Sequence, residues 1–383
     1  MGGSNMETKQ LRIGKLNQDF FTNLPEEIIK DILSKLPIPT IVCCKCVCKL
    51  WLRLIESLIE SREFIKAHFS KSVPCLALFQ GKKGSKRYKI LEFVDTPNYC
   101  KQLFSFSFPR AELHVHSSAN GLLLLLNQGM NRNTYICNPI TREYIKIPPI
   151  WSAFSEYESF GLGVSKLTGQ YKVVRWFEDY AVNSSTKAYA PWKCGVYTLE
   201  TGLWRTIVAV SAHAYWLCGK VSVFLNGNLH LLVSEEKLGV PREIACFDLE
   251  TESFSTFFVP DHPTDCRRTL CALGDCLCMC DTSRGCVDIW LMSKYGDDKS
   301  WTKEFAIRTK LAHGKDLVPI KILSEQGSRR LHCYSSKCKT TTIRHIDLTG
   351  SFDRSRMEPA VYAPSFLPLK NFAHSETNMS IAS

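Results

Sequence analysis

The sequence predicts an α+β multidomain protein, in which a small module of three helices precedes an all-β, propeller-like domain of about six irregular blades. Two patterns support this prediction. Over residues 21–69, apolar residues recur at steps of three and four, which is typical of amphipathic helices. From residue 73 onward, short apolar or alternating runs are separated by turn residues, which indicates strands.

Composition limits the classes of protein that fit this chain. It has 383 residues, of which 45% are hydrophobic and 22% charged, so it can bury a large core. The net charge of +11 is spread along the sequence, and the densest basic cluster, GKKGSKRYK at 81–89, lies between hydrophobic runs that resemble strands. Because nucleic-acid-binding proteins usually concentrate basic residues on one element, we expect no nucleic-acid partner.

The 18 cysteines do not by themselves indicate disulfide bonds. The sequence starts MGGSNMETKQ, without the apolar core of a signal peptide. Its longest aliphatic run, LLLLL at 122–126, is far shorter than the roughly 20 residues that span a bilayer. We therefore expect no membrane partner, reduced thiols, and a location in the cytoplasm, the nucleus or both.

The first helix is predicted within NLPEEIIKDILSKLP, residues 23–37. Pro25 suits the first turn of a helix, where its missing N–H would be unpaired in any case. The two glutamates that follow lie at the positive end of the helix dipole. Before Pro37 ends the helix, apolar residues recur at helical spacing, namely Ile28, Ile29, Ile32, Leu33 and Leu36.

A second helix is predicted from Thr40 to about Leu58, and a third in SREFIKAHF at 61–69. Three short helices make a marginal core, because a lone core of fewer than about 70 residues rarely supplies more than a few kcal/mol. The module also has more apolar positions than its own helices can cover. We therefore expect part of its surface to contact a partner.

The run LPEEIIKDILSKLPIPTIVCCKCVCKLWLRLI resembles the F-box motif. That motif has LP before an acidic pair, an aliphatic ladder that ends in a second LP, and then a Cys-rich helix with the pattern VCKxW. The resemblance implies binding to a Skp-type adaptor and, through the adaptor, to a cullin scaffold. It implies adaptor contacts for ten residues: Leu24, Pro25, Ile28, Ile32, Leu33, Leu36, Pro37, Val47, Cys48 and Trp51.

An ordinary helical hairpin that packs on the following domain is the alternative interpretation of this module. It explains the apolar stripes. It does not explain why two LP pairs and VCKxW occur in this order and at these separations.

A strand–turn–strand unit recurs in the second part of the chain. YICNPITREYIKI (135–147), VYTLETGLWRTI (196–207) and CFDLETESFSTF (246–257) align on a threonine in the predicted turn, with an aromatic residue three positions later. Glycines upstream of most copies lie at positions 121, 169, 227, 274 and 327, in steps of 48, 58, 47 and 53 residues, as expected for four-stranded blades. The segment YAPSFLPL at 362–369 is predicted to supply a closing strand.

Residues 73–370 resemble the F-box-associated domain of plant F-box proteins, through motifs such as NGLLLL at 120, CNPITREYIKIP at 137 and VYTLETGLWR at 196. The Gly-Gly pairs of kelch repeats are absent. The resemblance implies that this domain captures the protein that is to be ubiquitinated. The predicted organisation is a disordered tail (1–20), the F-box (21–69), the propeller-like domain (73–370) and a second disordered tail (371–383).

Cysteines are the main candidates for hidden chemistry. Four lie on the predicted second helix, where their spacing directs them around the helix and no second CxxC or His pair lies at zinc-module distance; these are Cys43, Cys44, Cys46 and Cys48. Three more alternate along a predicted strand and share one face, namely Cys276, Cys278 and Cys280. Packing of buried thiols is favoured over metal binding in both places, so we expect no metal, no cofactor and no catalytic residue.

Aromatic residues outside the repeat positions are the candidates for substrate contact, because aromatic residues are enriched at interface hot spots. They occur in WSAFSEYESF (151–160) and EDYAVNSSTKAYAPWK (178–193). The six candidates are Trp151, Phe154, Tyr157, Tyr180, Tyr189 and Trp192. Packing of these side chains beneath their own loops is the alternative.

Together these patterns predict a non-catalytic, substrate-recognition subunit of a Skp-cullin-F-box ubiquitin ligase, which bridges the adaptor and an unknown protein substrate. No P-loop, HExxH, GxSxG or RING-type array of cysteine and histidine is present. Two alternatives stay open: a propeller-based enzyme that depends on a metal or on thiols, and a scaffold that acts independently of a ligase.

Overall fold

A computed structural model gives the architecture of the chain. It describes residues 24–72, 75–82, 85–93, 100–108, 113–127, 133–150, 158–178, 192–207, 216–217, 222–234, 239–261, 267–273, 275–283, 286–308, 320–325, 328–335, 340–345, 360–372 and 377–379. The chain divides into two compact units, Met1–Lys71 and Ser72–Ser383. In the part of the chain that is described, no helix has both the length and the apolar character needed to cross a membrane.

The first unit contains four helices in its described residues, not the three predicted: α1 (Glu26–Ser34), α2 (Ile38–Cys44), α3 (Lys49–Glu60) and α4 (Arg62–Phe69). The predicted second helix is broken by a turn at 45–47, after which Cys48 is extended, with φ −161° and ψ 170°. The residues at the break, Cys46, Val47 and Cys48, are exposed. Because Cys and Val are weak helix formers, an exposed run of them gives the helix little reason to continue.

The helical unit has a small core, to which all four helices contribute. Its buried apolar residues include Ile29, Leu33, Ile41, Ile55, Leu58 and Phe64. Two polar contacts fix the last helix. The Ser61 side chain accepts a hydrogen bond from the N–H of Phe64 at the start of α4, and His68 Nε2 lies 3.0 Å from the Leu36 carbonyl oxygen.

The second unit is built from antiparallel sheets. The first contains β1 (Cys75–Lys82), β2 (Ser85–Phe93) and β3 (Cys100–Ser107). The next two contain β4 (Leu113–Ala119), β5 (Leu122–Asn127), β6 (Thr134–Asn138) and β7 (Glu143–Ile147), and then β8 (Glu158–Val164), β9 (Tyr171–Glu178), β10 (Trp192–Thr198) and β11 (Leu203–Ile207).

Three further sheets follow along the chain. One contains β12 (Trp216–Leu217), β13 (Val223–Leu225), β14 (Asn228–Ser234), β15 (Glu243–Asp248) and β16 (Phe254–Phe258). The next contains β17 (Arg267–Leu273), β18 (Cys276–Ser283), β19 (Cys286–Met292) and β20 (Trp301–Arg308). The third contains β21 (Ile320–Glu325), β22 (Ser328–Ser335) and β23 (Thr340–His345).

Two late strands join earlier sheets. Strand β24 (Ala360–Tyr362) pairs with β1, with Tyr362 opposite Cys75. The closing strand predicted at 362–369 therefore exists, but it lies mostly before that segment. Strand β25 (Thr377–Met379) pairs with β7, although it falls in a tail that was predicted to be disordered.

The described blades differ from the prediction of about six irregular blades. Four sheets contain four antiparallel strands that follow one another in the chain: β4–β7, β8–β11, β13–β16 and β17–β20. The other two sheets are built differently. In the first sheet, β24 completes β1–β3, and the sheet of β21–β23 has three described strands. The structure therefore shows a propeller-like arrangement with four regular units, and repeat spacing alone overestimated their number.

The predicted strand–turn–strand repeat is confirmed in three sheets. Each turn closes with a hydrogen bond from an N–H to the carbonyl four residues earlier, and the donor residue has a positive φ. The pairs are Arg142 with Asn138 (2.9 Å), Gly202 with Thr198 (2.9 Å) and Glu252 with Asp248 (2.8 Å), at φ of 61°, 68° and 56°.

The core of the second unit lies between successive sheets. Leu123 and Leu125 pack with residues of β1–β3 in one cluster, whereas Leu122, Leu124 and Leu126 pack with residues of β8 and β9 in another. The LLLLL run is therefore buried on both faces of its sheet, which explains why it does not alternate with polar residues. Two more clusters join the sheets of β8–β11, β12–β16 and β17–β20 in the same order.

Candidate functional site

Among the described residues of the helical unit, five large apolar side chains are exposed, and we call them the apolar row. They are Ile28 (48% exposed), Ile32 (36%), Val42 (47%), Val47 (64%) and Leu50 (52%). Such exposure is unusual for so small a unit, because most aliphatic side chains of a folded protein are withdrawn from water. A contiguous patch of exposed apolar residues marks a surface that binds another molecule, and Ile28 and Ile32, four residues apart on α1, lie on one face of that helix.

Pro25 determines which residues of α1 are exposed. It lies just before the helix, and its carbonyl accepts hydrogen bonds from the N–H groups of Ile28 (3.0 Å) and Ile29 (3.2 Å). Starting the helix at this point directs Ile29 and Leu33 into the core. Ile28 precedes Ile29 and Ile32 precedes Leu33. Because Ile28 and Ile32 are four residues apart, they share a different face of the helix, which is open to solvent.

Charged residues lie beside the apolar row on α1. Lys30 Nζ lies 2.8 Å from Glu26 Oε1, and Lys35 Nζ lies 2.6 Å from Asp31 Oδ2. The hydrogen bond from Lys35 lowers the pKa of Asp31, and the hydrogen bond to Glu26 raises the pKa of Lys30. Such exposed pairs contribute little to stability, but they place fixed charges at the edge of the row, where they can orient a partner.

The structure divides the ten residues that resemblance implicated in adaptor binding. Six are exposed: Pro25, Ile28, Ile32, Pro37, Val47 and Cys48; two are half-buried: Leu24 and Leu36. Leu33 and Trp51 are 1% and 9% exposed and belong to the unit's own core. Direct adaptor contacts of these two residues stay a prediction, although their side chains leave little surface for a partner to cover.

Two exposed residues of the apolar row, Val42 and Leu50, were not among the predicted contacts. Within residues 40–58, the resemblance to the F-box motif implied contacts only for the VCKxW residues Val47, Cys48 and Trp51. The break at 45–47 starts a new helix with a new orientation. A sequence signal was present, since the CKCVC run around the break is a poor helix-forming segment.

The predicted substrate contacts are mostly outside the described residues, namely Trp151, Phe154, Tyr157, Tyr180 and Tyr189. Trp192 is the exception. Its backbone begins β10 and pairs with Glu178 of β9, so it lies in a strand and not in a loop as predicted. These residues stay predicted contacts, with Trp192 moved to a sheet.

The cysteines of the helical unit also depart from the prediction. Cys43, Cys46 and Cys48 are exposed and Cys44 is half-buried, so they are not packing thiols. In the second unit, by contrast, Cys278 and Cys280 are fully buried as predicted, and Cys276 is half-buried. The cysteines whose side chains the structure describes, including all seven named above, are free thiols.

Comparison with known proteins gives the same division of the chain. The family described as F-box domain matches residues 21–62, and the family described as F-box associated beta propeller domain matches residues 105–367. Two curated relatives from Arabidopsis thaliana are F-box protein At3g07870, 29% identical over 321 residues (76% of this chain and 74% of the relative), and F-box protein CPR1, 25% identical over 370 residues (86% of each).

Among solved structures, TolB from Acinetobacter baumannii is 12% identical, covers 82% of this chain and 73% of its own, and has a TM-score of 0.44. That likeness is too distant to support an argument. The family match needs no such support, because it spans more than half of the 383 residues. The chain belongs to the F-box proteins that carry an F-box associated β-propeller domain.

Proposed function

We propose that this protein is a substrate-recognition subunit of a Skp-cullin-F-box ubiquitin ligase, and that its helical unit docks on a Skp-type adaptor through the apolar row. The observation that carries the proposal is the exposure of five aliphatic side chains in a unit with an F-box sequence. The adaptor in turn connects the protein to a cullin. The protein then works where such ligases work, in the cytoplasm or the nucleus.

The energetics require contacts beyond the row itself. Full burial of a Val, Leu or Ile side chain is worth about 1.5–3 kcal/mol. The five residues are 36–64% exposed, so covering them recovers roughly half of that each, on the order of 5 kcal/mol in total. Association costs about 4–15 kcal/mol, so Leu24, Pro25 and the charged edge of α1 must contribute as well.

The β unit is proposed to hold the protein substrate, and the chain is proposed to have no catalytic role of its own. Its contribution is positional, because tethering a substrate near the ligase raises its local concentration without any new chemistry. A scaffold that binds the adaptor but delivers no substrate is the second candidate. Copurification of a cullin, together with accumulation of bound proteins when the F-box is disabled, separates the two.

The test replaces Ile28 and Ile32 by Glu in the full chain and measures adaptor binding by calorimetry or co-purification. Placing charges in an apolar contact leaves them desolvated, so each substitution should weaken binding at least tenfold, about 1.4 kcal/mol. The pair Leu24→Ala and Pro25→Ala should also abolish co-purification. Thermal unfolding of the β unit should stay unchanged in both variants.

Ala67→Glu is the matched control, since Ala67 is exposed on α4 and outside the apolar row. It adds the same charge as either single substitution to the same unit and should leave adaptor binding intact. If the Ile28→Glu and Ile32→Glu variant bound the adaptor as tightly as this control, the docking surface would be assigned to the wrong residues.

A further inference from the structure

Three cysteines converge on one face of the hairpin formed by β17 and β18. Cys271 lies directly opposite Cys278 in the antiparallel register, and Cys280 lies two residues further along the same strand. The sulfur atoms of all three lie within 4.8 Å of one another. Side chains at i and i+2 of a strand share a face with the residue opposite, so the register itself brings the three thiols together.

The cluster is enclosed by the protein. Cys278 and Cys280 are 0% exposed and Cys271 is 6% exposed. Cys280 is paired with Ile289 of β19, which is also buried. The ion pair between Arg268 and Asp281, 3.2 Å apart, belongs to the opposite face of the hairpin, because both residues alternate with the cysteines.

The three sulfur atoms interact with one another. Burial raises the pKa of the Cys271 and Cys280 thiols well above the usual range, whereas hydrogen bonds from these two thiols lower the pKa of Cys278. The Cys271 thiol lies 3.3 Å from the carbonyl oxygen of Cys278, to which its one proton can be donated in place of the Cys278 sulfur. A mutually directed trio of sulfur atoms differs from the usual buried cysteine, which packs as a small apolar side chain.

We propose that Cys271, Cys278 and Cys280 form a binding site for a thiophilic metal ion, Cu⁺ or Zn²⁺. Thiolate sulfur is the ligand that selects these ions. A metal–sulfur bond of about 2.3 Å in a three-sulfur plane needs sulfur atoms about 4 Å apart, so the cluster requires only a small contraction. Each thiol that binds gives up its proton to solvent, which makes binding dependent on pH.

Ligand number and charge favour different ions. Among the described residues, no histidine or carboxylate atom joins the three sulfurs, and a three-sulfur site suits Cu⁺ better than Zn²⁺, which in structural sites takes four protein ligands. Three thiolates with Zn²⁺ leave one buried negative charge, whereas with Cu⁺ they leave two, which is costlier. Both ions would bind at the same site of three thiolates, so the experiment tests each ion separately.

The exposed thiols of Cys43, Cys46 and Cys48 are competing ligands, so the test uses a full-length parent in which these three are replaced by Ser. The parent is mixed without oxygen with Cu⁺ or with Zn²⁺, then passed over a chelating column, and the retained metal is counted. We expect one equivalent of one of the ions to be retained. X-ray absorption of that complex should show three sulfur neighbours.

Cys278→Ser in the same parent should lose the retained metal ion. Cys271→Ser should lose it as well, and this variant changes the least buried of the three cysteines. Cys276→Ser is the matched control, because Cys276 lies on the same strand and is half-buried outside the cluster; it should retain the ion. In the parent, the ion should also raise the temperature of thermal unfolding, because the folded state holds the three thiols together and so binds the ion more tightly than the unfolded chain does.

Retention of neither ion by the parent would overturn the proposal. So would equal retention by the parent and by a Cys271→Ser variant whose circular dichroism and unfolding temperature match those of the parent. The site does not depend on adaptor binding, so either result leaves the proposed ligase role untouched.

Discussion

At the scale of single residues, two motifs that carried the family resemblance have a shared structural role. Asn138 of the CNPITRE motif is fully buried, and its amide donates to the carbonyl oxygens of Ser365 (3.0 Å) and Leu367 (2.7 Å). Gly121 of the NGLLLL motif has φ +85° and lies against the backbone of Ser365. Both motifs therefore dock the segment around 365, some 230 residues later in the chain.

A pair of glycines tests this role. A Cβ on Gly121 would overlap the Ser365 side chain and backbone, whereas a Cβ on Gly169, at φ +67°, would meet nothing within 4 Å. Gly169→Ala should therefore cost only the left-handed backbone penalty, about 1–2 kcal/mol. Gly121→Ala should lower the free energy of unfolding by more, in the range of about 3 kcal/mol or above. Chemical denaturation of both variants measures the difference, and equal losses would contradict the contact.

At the scale of elements, the sequence predicted α1 and the repeated turns well, because their signals are local. Pro25, the acidic first turn and the glycines with positive φ all act within a few residues. The break between α2 and α3 was missed, because the helical spacing of apolar residues continues across it. The residues at the break end the helix because they are exposed and are weak helix formers, and their exposure depends on the fold. The thiol cluster was also missed, because Cys271 joins Cys278 and Cys280 only once the hairpin register is known.

Strand β14 carries a buried histidine whose network fixes its protonation. His230 is 0% exposed; its Nδ1 lies 3.1 Å from the Val223 carbonyl oxygen and its Nε2 lies 2.8 Å from the Tyr295 hydroxyl. Nδ1 can only donate to the carbonyl, so in the neutral ring Nε2 accepts from Tyr295. Burial lowers the pKa of His230 to about 4.

This shift predicts how acid affects the β unit. The unfolded chain takes up a proton at His230 near its ordinary pKa of about 6.5, whereas the folded state resists uptake down to about 4. The stabilisation is therefore complete above the unfolded pKa and is lost as pH falls from about 6.5 to 4, on the order of 3 kcal/mol. In His230→Gln this part of the pH dependence should disappear. Urea unfolding of both proteins at several pH values measures it, and identical slopes would disprove it.

At the scale of the whole chain, the two units differ in how they are completed. Apolar residues of the helical unit are left exposed, which suits a surface that another polypeptide covers. The β unit closes its first sheet internally, with β24 against β1. Tyr362, Phe366 and Leu369 then bury their side chains within the same unit.

Two truncations test the importance of that closure. Removing residues 360–383 deletes three large buried side chains, each worth about 2–5 kcal/mol, which approaches the whole stability of about 5–15 kcal/mol typical of a domain. We expect loss of the cooperative thermal transition and binding of a hydrophobic dye. Removing only 373–383 takes away the three-residue strand β25 at the edge of β7 but retains β24 and the three buried side chains, so this variant should keep a cooperative transition at a temperature much closer to that of the full-length protein. A cooperative transition in the longer deletion would contradict the role of β24.

The placement of β24 sets the order of events during synthesis. A ribosome releases the F-box long before it makes residue 360, so the adaptor-facing helices can form while the first β-sheet still lacks its last strand. A stop codon or frameshift anywhere before that point would yield a chain that keeps its F-box but not a sealed β unit. Under the proposed function, such products would bind the adaptor without holding a substrate, and alleles of this kind would interfere with the intact protein instead of being silent.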